Sequence, residues 1–511
     1  MRAEAFIPPE SLTLRGGLPP VDRPDRRGIG RGAWNTRAVK TETAIAGGLV
    51  ATHTGVFPAT VAIAGGRVVG LVDPAERPDA GEVIDARNRL VLPGCIDPHV
   101  HFNEPGRTHW EGFETGSMSA AAGGVTTVIE MPLNANPPTI DAGAFALKVD
   151  AVRPRAVVDY ALWGGLVTDN VEALEGLHRA GAMGYKAFMI DTGTEFARAD
   201  DGVLWDGMAR IARWDAVLGV HAESNDIALR LRARLEGAGR RDVRAWAESR
   251  PPEVELEAIQ RALFLAGASR CRLHIVHLST PNGGSCIASA RSAGQRVTVE
   301  TCPHYLLLDE EAAQTLGPVA KCAPPLRPRA AVDGLWRQVF DGTIDCMASD
   351  HSPCPPEEKA RGDGDIWAAW GGITGVQTLL PLMLSEGVRR RGLPLERLVA
   401  LTSTNAARIF GLYPRKGGLM PGSDADVVIV DPNREWTISA DRLLYRHRQT
   451  PYLGWRITGW VDRVLVRGRT VFADGEVVAS PGSGRLIRGP GHADATAPST
   501  GAPSGGRRKE A

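Results

Sequence analysis

Eight apolar runs punctuate the middle of the chain: "GCIDPHVHF", "GVTTVIEMP", "VVDYALWGG", "AMGYKAFMI", "VLGVHAES", "RLHIVHLST", "RVTVETCPH" and "IDCMASDH". Each has the length of one strand in a parallel sheet covered on both faces, which reads as a near-continuous apolar stretch rather than an alternation. The segments between them are rich in Ala, Arg, Leu and Glu and long enough for a crossover helix. Eight such units predict a (β/α)8 barrel over residues 96–411. An open doubly wound sheet would also alternate, but no GxGxxG or Walker loop follows an early strand.

A second texture flanks the first. "TAIAGGLVAT", "ATVAIAGGRVVGLV" and "DARNRLVLPG" on one side, and "ADVVIVDP" and "RVLVRGRTVFADGEVV" on the other, read as short strands joined by Gly turns. They predict a small β-sandwich domain assembled from residues 41–95 and 412–482, so the fold class is α/β with a small β domain built from both ends of the chain. Residues 1–40 and 483–511 carry Gly-, Pro- and charge-rich sequence that buries too little apolar surface to offset ordering entropy. They are expected to be a flexible arm and a disordered tail.

Composition narrows the function. At 511 residues the chain exceeds the size of a single core, and its formal net charge of +0 gives no basis for capturing nucleic acid or an anionic membrane. The expected partner is a small molecule. Seven cysteines without CxxC spacing argue against a disulfide framework and against a thiolate zinc site, and suggest a reducing compartment. "MRAEAFIPPESLTLRGG" lacks an apolar core of signal-peptide length and no later segment is apolar enough to span a bilayer, so a cytoplasmic location is expected. Arg is plentiful and Lys rare, which makes a Lys inside an apolar strand conspicuous.

The chemistry concentrates at the ends of the runs. In "DPHVHFNEPG", His99 and His101 share one face if the stretch is extended. An isolated HxH is more often one buried, hydrogen-bonded His and one loop His. Here, however, His221 ends the fifth run, His277 the sixth and Asp350 the eighth. A barrel brings the C-terminal strand ends to one rim, so these five positions point to a divalent cation. Lys186, in the fourth run, has no lone pair as an ammonium. It is either a salt-bridged barrel lysine or, with its pKa lowered among positive neighbours, a lysine that takes up carbon dioxide to become an oxygen-ligating carbamate.

"DPHVHFNEPG", "GYKAFM", "VHAES", "RLHIVHLS" and "SDHSPC" resemble the cyclic amidohydrolases, the family of dihydroorotases, hydantoinases and allantoinases, over about residues 45–480. The resemblance implies two divalent cations. His99 and His101 would hold the buried one, His221 and His277 the more exposed one, carboxylated Lys186 would bridge both, and Asp350 would complete the buried site. Zinc is the first expectation; Fe, Mn, Co and Ni suit the same ligands. Two cations sharing a water would yield a hydroxide nucleophile, with Asp350 accepting its proton and passing it to the departing ring nitrogen. Relatives are usually homotetramers.

Substrate choice follows from the surrounding residues. Dihydroorotases typically place Arg two residues beyond HxH to hold a carboxylate. Asn103 stands there instead, offering neutral hydrogen bonds, although it also suits a turn before "EPG". "THWEGFETG" and "GGVTTVIEMPLNANPPT", which contains Asn134, resemble the allantoinase branch. "KCAPPLRP" corresponds to the loop that holds the cyclic imide, with Ala323 where relatives often have Ser or Asn. "WGGITGVQ", opening on Trp370, corresponds to a second loop over the pocket. The resemblance therefore implies a cyclic ureide without a carboxylate, and allantoin opened to allantoate. The alternatives are a hydantoinase or dihydropyrimidinase, a dihydroorotase, and a non-catalytic scaffold. Hydantoinases usually carry Tyr five residues beyond the bridging Lys, where Asp191 stands, and the scaffold predicts missing ligands where none is missing. His304, Tyr305 and His351 either contact ligand or are structural. Cys302 and Cys354 read as packing, and Trp110 and Trp370 as pocket or core.

Overall fold

The computed structural model describes residues 41–74 and 79–492; the expected N-terminal arm, 1–40, lies outside them. Strands β1 (Thr41–Thr52), β2 (Gly55–Ala64), β3 (Arg67–Val72), β4 (Ala80–Asp85) and β5 (Leu90–Pro93) come first. A bulge between Ile45 and Gly48 divides β1, so that its first half pairs with β4 and its second half with β5. Gly47 sits in the bulge at φ 79°, a left-handed conformation that glycine adopts without a Cβ clash. A strand that changes partners in this way turns the sheet over a core, here Ile45, Val50, Val61, Ile63, Val91, Val427 and Leu465.

The barrel strands follow: β6 (Cys95–Val100), β7 (Val125–Glu130), β8 (Asp159–Leu162), β9 (Gly164–Gly165), β10 (Tyr185–Phe188), β11 (Val217–His221), β12 (Arg272–Ile275), β13 (Val297–Thr301) and β14 (Cys346–Met347). All neighbours pair in parallel, β6 to β8 in one sheet and β9 to β14 in another. The third apolar run supplies both β8 and β9 and so joins the two sheets. The circle closes where His101 N–H donates to His351 O at 2.8 Å, beside a parallel bridge from Val100 to His351. Several crossover helices start where the sequence offers an acceptor: Asp141, Asp200, Asp242 and Asp309 each take a backbone N–H of the first turn. Helix Arg329–Asp341 buries Val332, Leu335, Trp336 and Val339, the helical spacing of one apolar face.

The chain then returns to the first domain. β15 (Val427–Thr437), β16 (Arg456–Val466), β17 (Arg469–Ala473) and β18 (Glu476–Val477) complete a nine-stranded sheet, with β15 antiparallel to β5. One expectation is corrected beyond it. Residues 483–492, assigned to a disordered tail, are bound to the barrel: Ile487 N–H donates to Tyr160 O on β8, Tyr160 N–H donates to Arg485 O, and Gly489 N–H donates to Gly181 O. Glycines make the approach possible, since a Cβ at Gly484 would stand 2.0 Å from Val158 O and one at Gly489 2.2 Å from Ala182 O. Buried Ile487 adds apolar area that composition averages conceal. The rest of that expected tail, 493–511, lies outside the described residues.

Candidate functional site

The rim at the C-terminal ends of the barrel strands gathers His99, His101, Lys186, His221, His277 and Asp350, all buried. His99 Nε2 and His101 Nε2 lie 3.3 and 3.4 Å from the same oxygen, Asp350 Oδ1. Donor atoms of His99, His277 and Asp350 fall within 4.8 Å of one another. The His99 ring is 5.3 Å from that of His277, which is in turn 4.5 Å from that of His221. The rings thus form a continuous row from His99 on β6 through His277, just after β12, to His221 at the end of β11. Strand pleat puts His99 and His101 on one side, whereas His277 and Asp350 turn inward through left-handed backbone, at φ 39° and 46°.

Burial pushes His101, His221 and His277 towards their neutral, ligating form. His101 falls to about 4, through burial and the neighbouring His99 charge. His277 is driven well below its ordinary value by burial and by the charges of His221, Lys186 and His99. Burial works to raise the Asp350 carboxyl, but His99 and His101 outweigh it and hold it at about 2. Imidazoles biased to the neutral form at His101, His221 and His277, beside an ionised carboxylate, make a donor set suited to divalent cations.

Lys186 answers a sharper question. Five lysines fall among the described residues, all of them buried. Lys148 is paired with Glu130, Lys416 with Asp159 and Asp426, and Lys321 and Lys359 donate to main-chain carbonyls. Lys186 alone has an Nζ with no hydrogen-bond partner. Burial lowers it to about 7, so a neutral, nucleophilic amine is accessible near neutrality. An unpartnered buried Nζ whose charge bears on His101, His221 and His277 fits a lysine that carries a further group between cations.

The expected substrate contacts are placed less uniformly. Asn103 is buried at φ 61°, with Nδ2 3.5 Å from Pro353 O and Oδ1 without a partner. Asn134, at φ 65°, sets Nδ2 3.5 Å from His101 Nδ1, behind that ring, and its Oδ1 is also unpartnered. Trp370 lies edge-on to Trp110 with its buried Nε1 free of partners, and Ala323 is partly exposed. His304 is buried with Nε2 unpartnered, and Tyr305 donates to Pro324 O in the Ala323 loop. His351 faces away from the other histidines. Its Nδ1 accepts from Gly375 N–H, its Nε2 is 3.7 Å from Glu111, and Tyr445 packs on it. Burial raises the thiols of Cys302 and Cys354, consistent with packing. Asp191 is exposed and closes a turn to Gly193.

Sequence reading missed the residues behind the imidazoles. His221 Nε2 is 2.6 Å from Glu223, which also binds Arg250. Asp97 accepts the main-chain N–H groups of His99 and Ser349 and so ties β6 to the Asp350 segment. Glu300 stands behind His99. A carboxylate inside an apolar strand, as in "VTVETC", was the available signal, because such a group must find partners.

Comparison with known proteins places the chain in context. The model of the amidohydrolase family matches residues 90–471. An allantoinase of Rubrobacter xylanophilus is 51% identical over 431 residues, covering 84% of this chain and 94% of that protein. An allantoinase of Solibacter usitatus is 45% identical, covering 88% and 97%. Among solved structures, the L-hydantoinase (dihydropyrimidinase) of Arthrobacter aurescens superposes with a TM-score of 0.86 at 36% identity, covering 88% of this chain and 100% of that one.

Proposed function

The chain belongs to the amidohydrolase family, and from that premise we propose that it hydrolyses the hydantoin ring of allantoin to allantoate. The observation that carries the reading is the single rim on which four histidines, Asp350 and an unpartnered Lys186 converge, and the neutral, unpartnered amide oxygens of Asn103 and Asn134 favour a ring without a carboxylate. His99, His101 and Asp350 would hold one divalent cation, His221 and His277 a second, and carboxylated Lys186 would span them. Zinc is the metal we assign. Cations bound there would supply Lewis acidity to the scissile carbonyl and acidify a water.

The chain's own groups do the rest. Water adds across the ring C–N bond, and the proton that must travel from the attacking oxygen to the departing ring nitrogen is handled by Asp350. Its carboxylate faces the histidine row and is ionised at neutral pH, so it can accept that proton and then return it. Asn103 and Asn134 present unpartnered carbonyl oxygens to the ring N–H groups, main-chain groups at Ala323 hold the imide, and Trp370 covers the ring.

The likeness to the L-hydantoinase favours a second reading, a hydantoinase on a related ring. Ring opening of allantoin, dihydroorotate, hydantoin and dihydrouracil, assayed side by side on metal-replete enzyme, separates the two. We expect allantoin to have the highest kcat/KM; preferential turnover of dihydroorotate or hydantoin would sink the proposal. Metal analysis tests the scaffold alternative, which requires fewer than one tightly bound ion per chain. Among the described residues no helix is long and apolar enough to cross a membrane. We assign the enzyme to the cytoplasm as a homotetramer, which light scattering would check.

A further inference from the structure

Glu300 lies at the centre of the barrel, on β13, and is fully buried. Its Oε1 is 2.6 Å from His99 Nδ1 and 3.3 Å from the main-chain nitrogen of His277. Its Oε2 is 3.1 Å from His274 Nε2, and His274 Nδ1 is 2.8 Å from Thr298 Oγ1. From β13, one carboxylate therefore makes three contacts, one on β6 and two on β12 and the turn after it: the side chain of one proposed cation ligand, the backbone of another, and a buried imidazole that has no place in the reaction.

The tautomers follow from the acceptors. An ionised carboxylate only accepts, so His99 carries its proton on Nδ1 and presents the Nε2 lone pair towards Asp350 and the cation position. His274 likewise donates through Nε2, which leaves Nδ1 to accept from the Thr298 hydroxyl. His277 holds a left-handed backbone, a conformation that persists only where surrounding contacts enforce it, and its N–H is anchored on Glu300. Cys346 lies close enough to Glu300 and His274 to suggest a cation site of its own. The two imidazole nitrogens and both Glu300 oxygens are already engaged in hydrogen bonds, however, and burial keeps the thiol protonated.

We propose that Glu300, backed by His274 and Thr298, is a positioning residue that fixes the tautomer of His99, and thereby sets cation affinity at the buried position, while it anchors the backbone of His277 at the second. The inference rests on the two-cation reading above. Its test is cation retention rather than turnover. Wild type, Glu300→Gln, His274→Gln and Thr298→Val are loaded with Co2+, and ion release to a chelator and the visible Co2+ spectrum are measured, with melting recorded for loaded and metal-stripped protein.

The expectation for Glu300→Gln is about 10- to 100-fold weaker retention and an altered spectrum. Metal-stripped Glu300→Gln should melt with metal-stripped wild type, and His274→Gln should follow in the same direction with a smaller effect. Unchanged retention and spectrum, or a melting loss equal in loaded and stripped protein, would show a purely structural role and overturn the proposal. If Glu300→Gln does not fold, His274→Gln decides in the same way. Wild type that retains no Co2+ would instead refute the two-cation reading itself.

Discussion

At the scale of single residues, the site concentrates left-handed backbone and buried ionisable side chains. Of the ten non-glycine residues at positive φ among those described, four are Asn103, Asn134, His277 and Asp350. Left-handed backbone costs about 1–2 kcal/mol for most side chains, and Asn tolerates it best. Asn103 takes the left-handed turn that its sequence position allowed and leaves its Oδ1 without a hydrogen-bond partner. Asp350 pairs strain with reach. Asp350→Asn keeps the size and the left-handed turn but cannot accept the proton; kcat on allantoin should fall by about 10^2- to 10^4-fold with an unchanged circular dichroism spectrum, which steady-state kinetics would check. The histidines and Lys186 were legible because barrel topology assigns strand ends to one rim. Glu300 and Glu223 were not, because which imidazole a buried carboxylate meets is decided between strands and leaves no spacing in the sequence.

At the scale of elements, the loops that carry Ala323 and Trp370 are held by two unusual cations. Lys321 Nζ donates to Ile366 O and Ala369 O, both at 2.7 Å, and Lys359 Nζ donates to Lys321 O at 3.0 Å and Trp370 O at 2.9 Å. Together they fasten the loop that carries Trp370 to the loop that carries Ala323. Neither hydrogen-bonds to a carboxylate, and burial lowers Lys321 to about 7 and Lys359 to about 8, from 10.5. The folded state then binds fewer protons than the unfolded state between about pH 7 and 10, so these groups make stability rise with pH across that window; below it the full cost of burying the charges remains. The melting temperature of wild type should therefore gain on that of Lys359→Met as pH rises from 7 to 10, and a difference flat in pH would refute the assignment. The eight apolar runs gave the barrel strands directly, because burial on both faces leaves so plain a mark. The strand-like course of 483–492 left none, since its hydrogen bonds come from backbone that glycines expose.

At the scale of the whole molecule, one buried cluster joins barrel to sheet domain. Lys416 Nζ lies 2.8 Å from Asp159 on β8 and 2.6 Å from Asp426, just before β15, and Arg467 also binds Asp159. Asp159, Asp424 and Asp426 together have the makings of a cation site, but Lys416 and the arginines already supply the charge. Removing one member of a buried pair costs about 3–5 kcal/mol, because the partner is left charged and unpaired. Lys416→Met should lower the urea midpoint accordingly, and Asp426→Asn in the same chain should recover part of the loss; additive losses would argue against the cluster. The pairing of β5 with β15 has a further consequence, felt on the ribosome. The strand at 90–93 is made more than three hundred residues before its neighbour at 427–437. Throughout that interval the nascent half-sheet presents a bare edge, the kind that recruits other chains. A stop codon anywhere ahead of β15 should therefore send the product to inclusion bodies rather than yield a trimmed, working barrel.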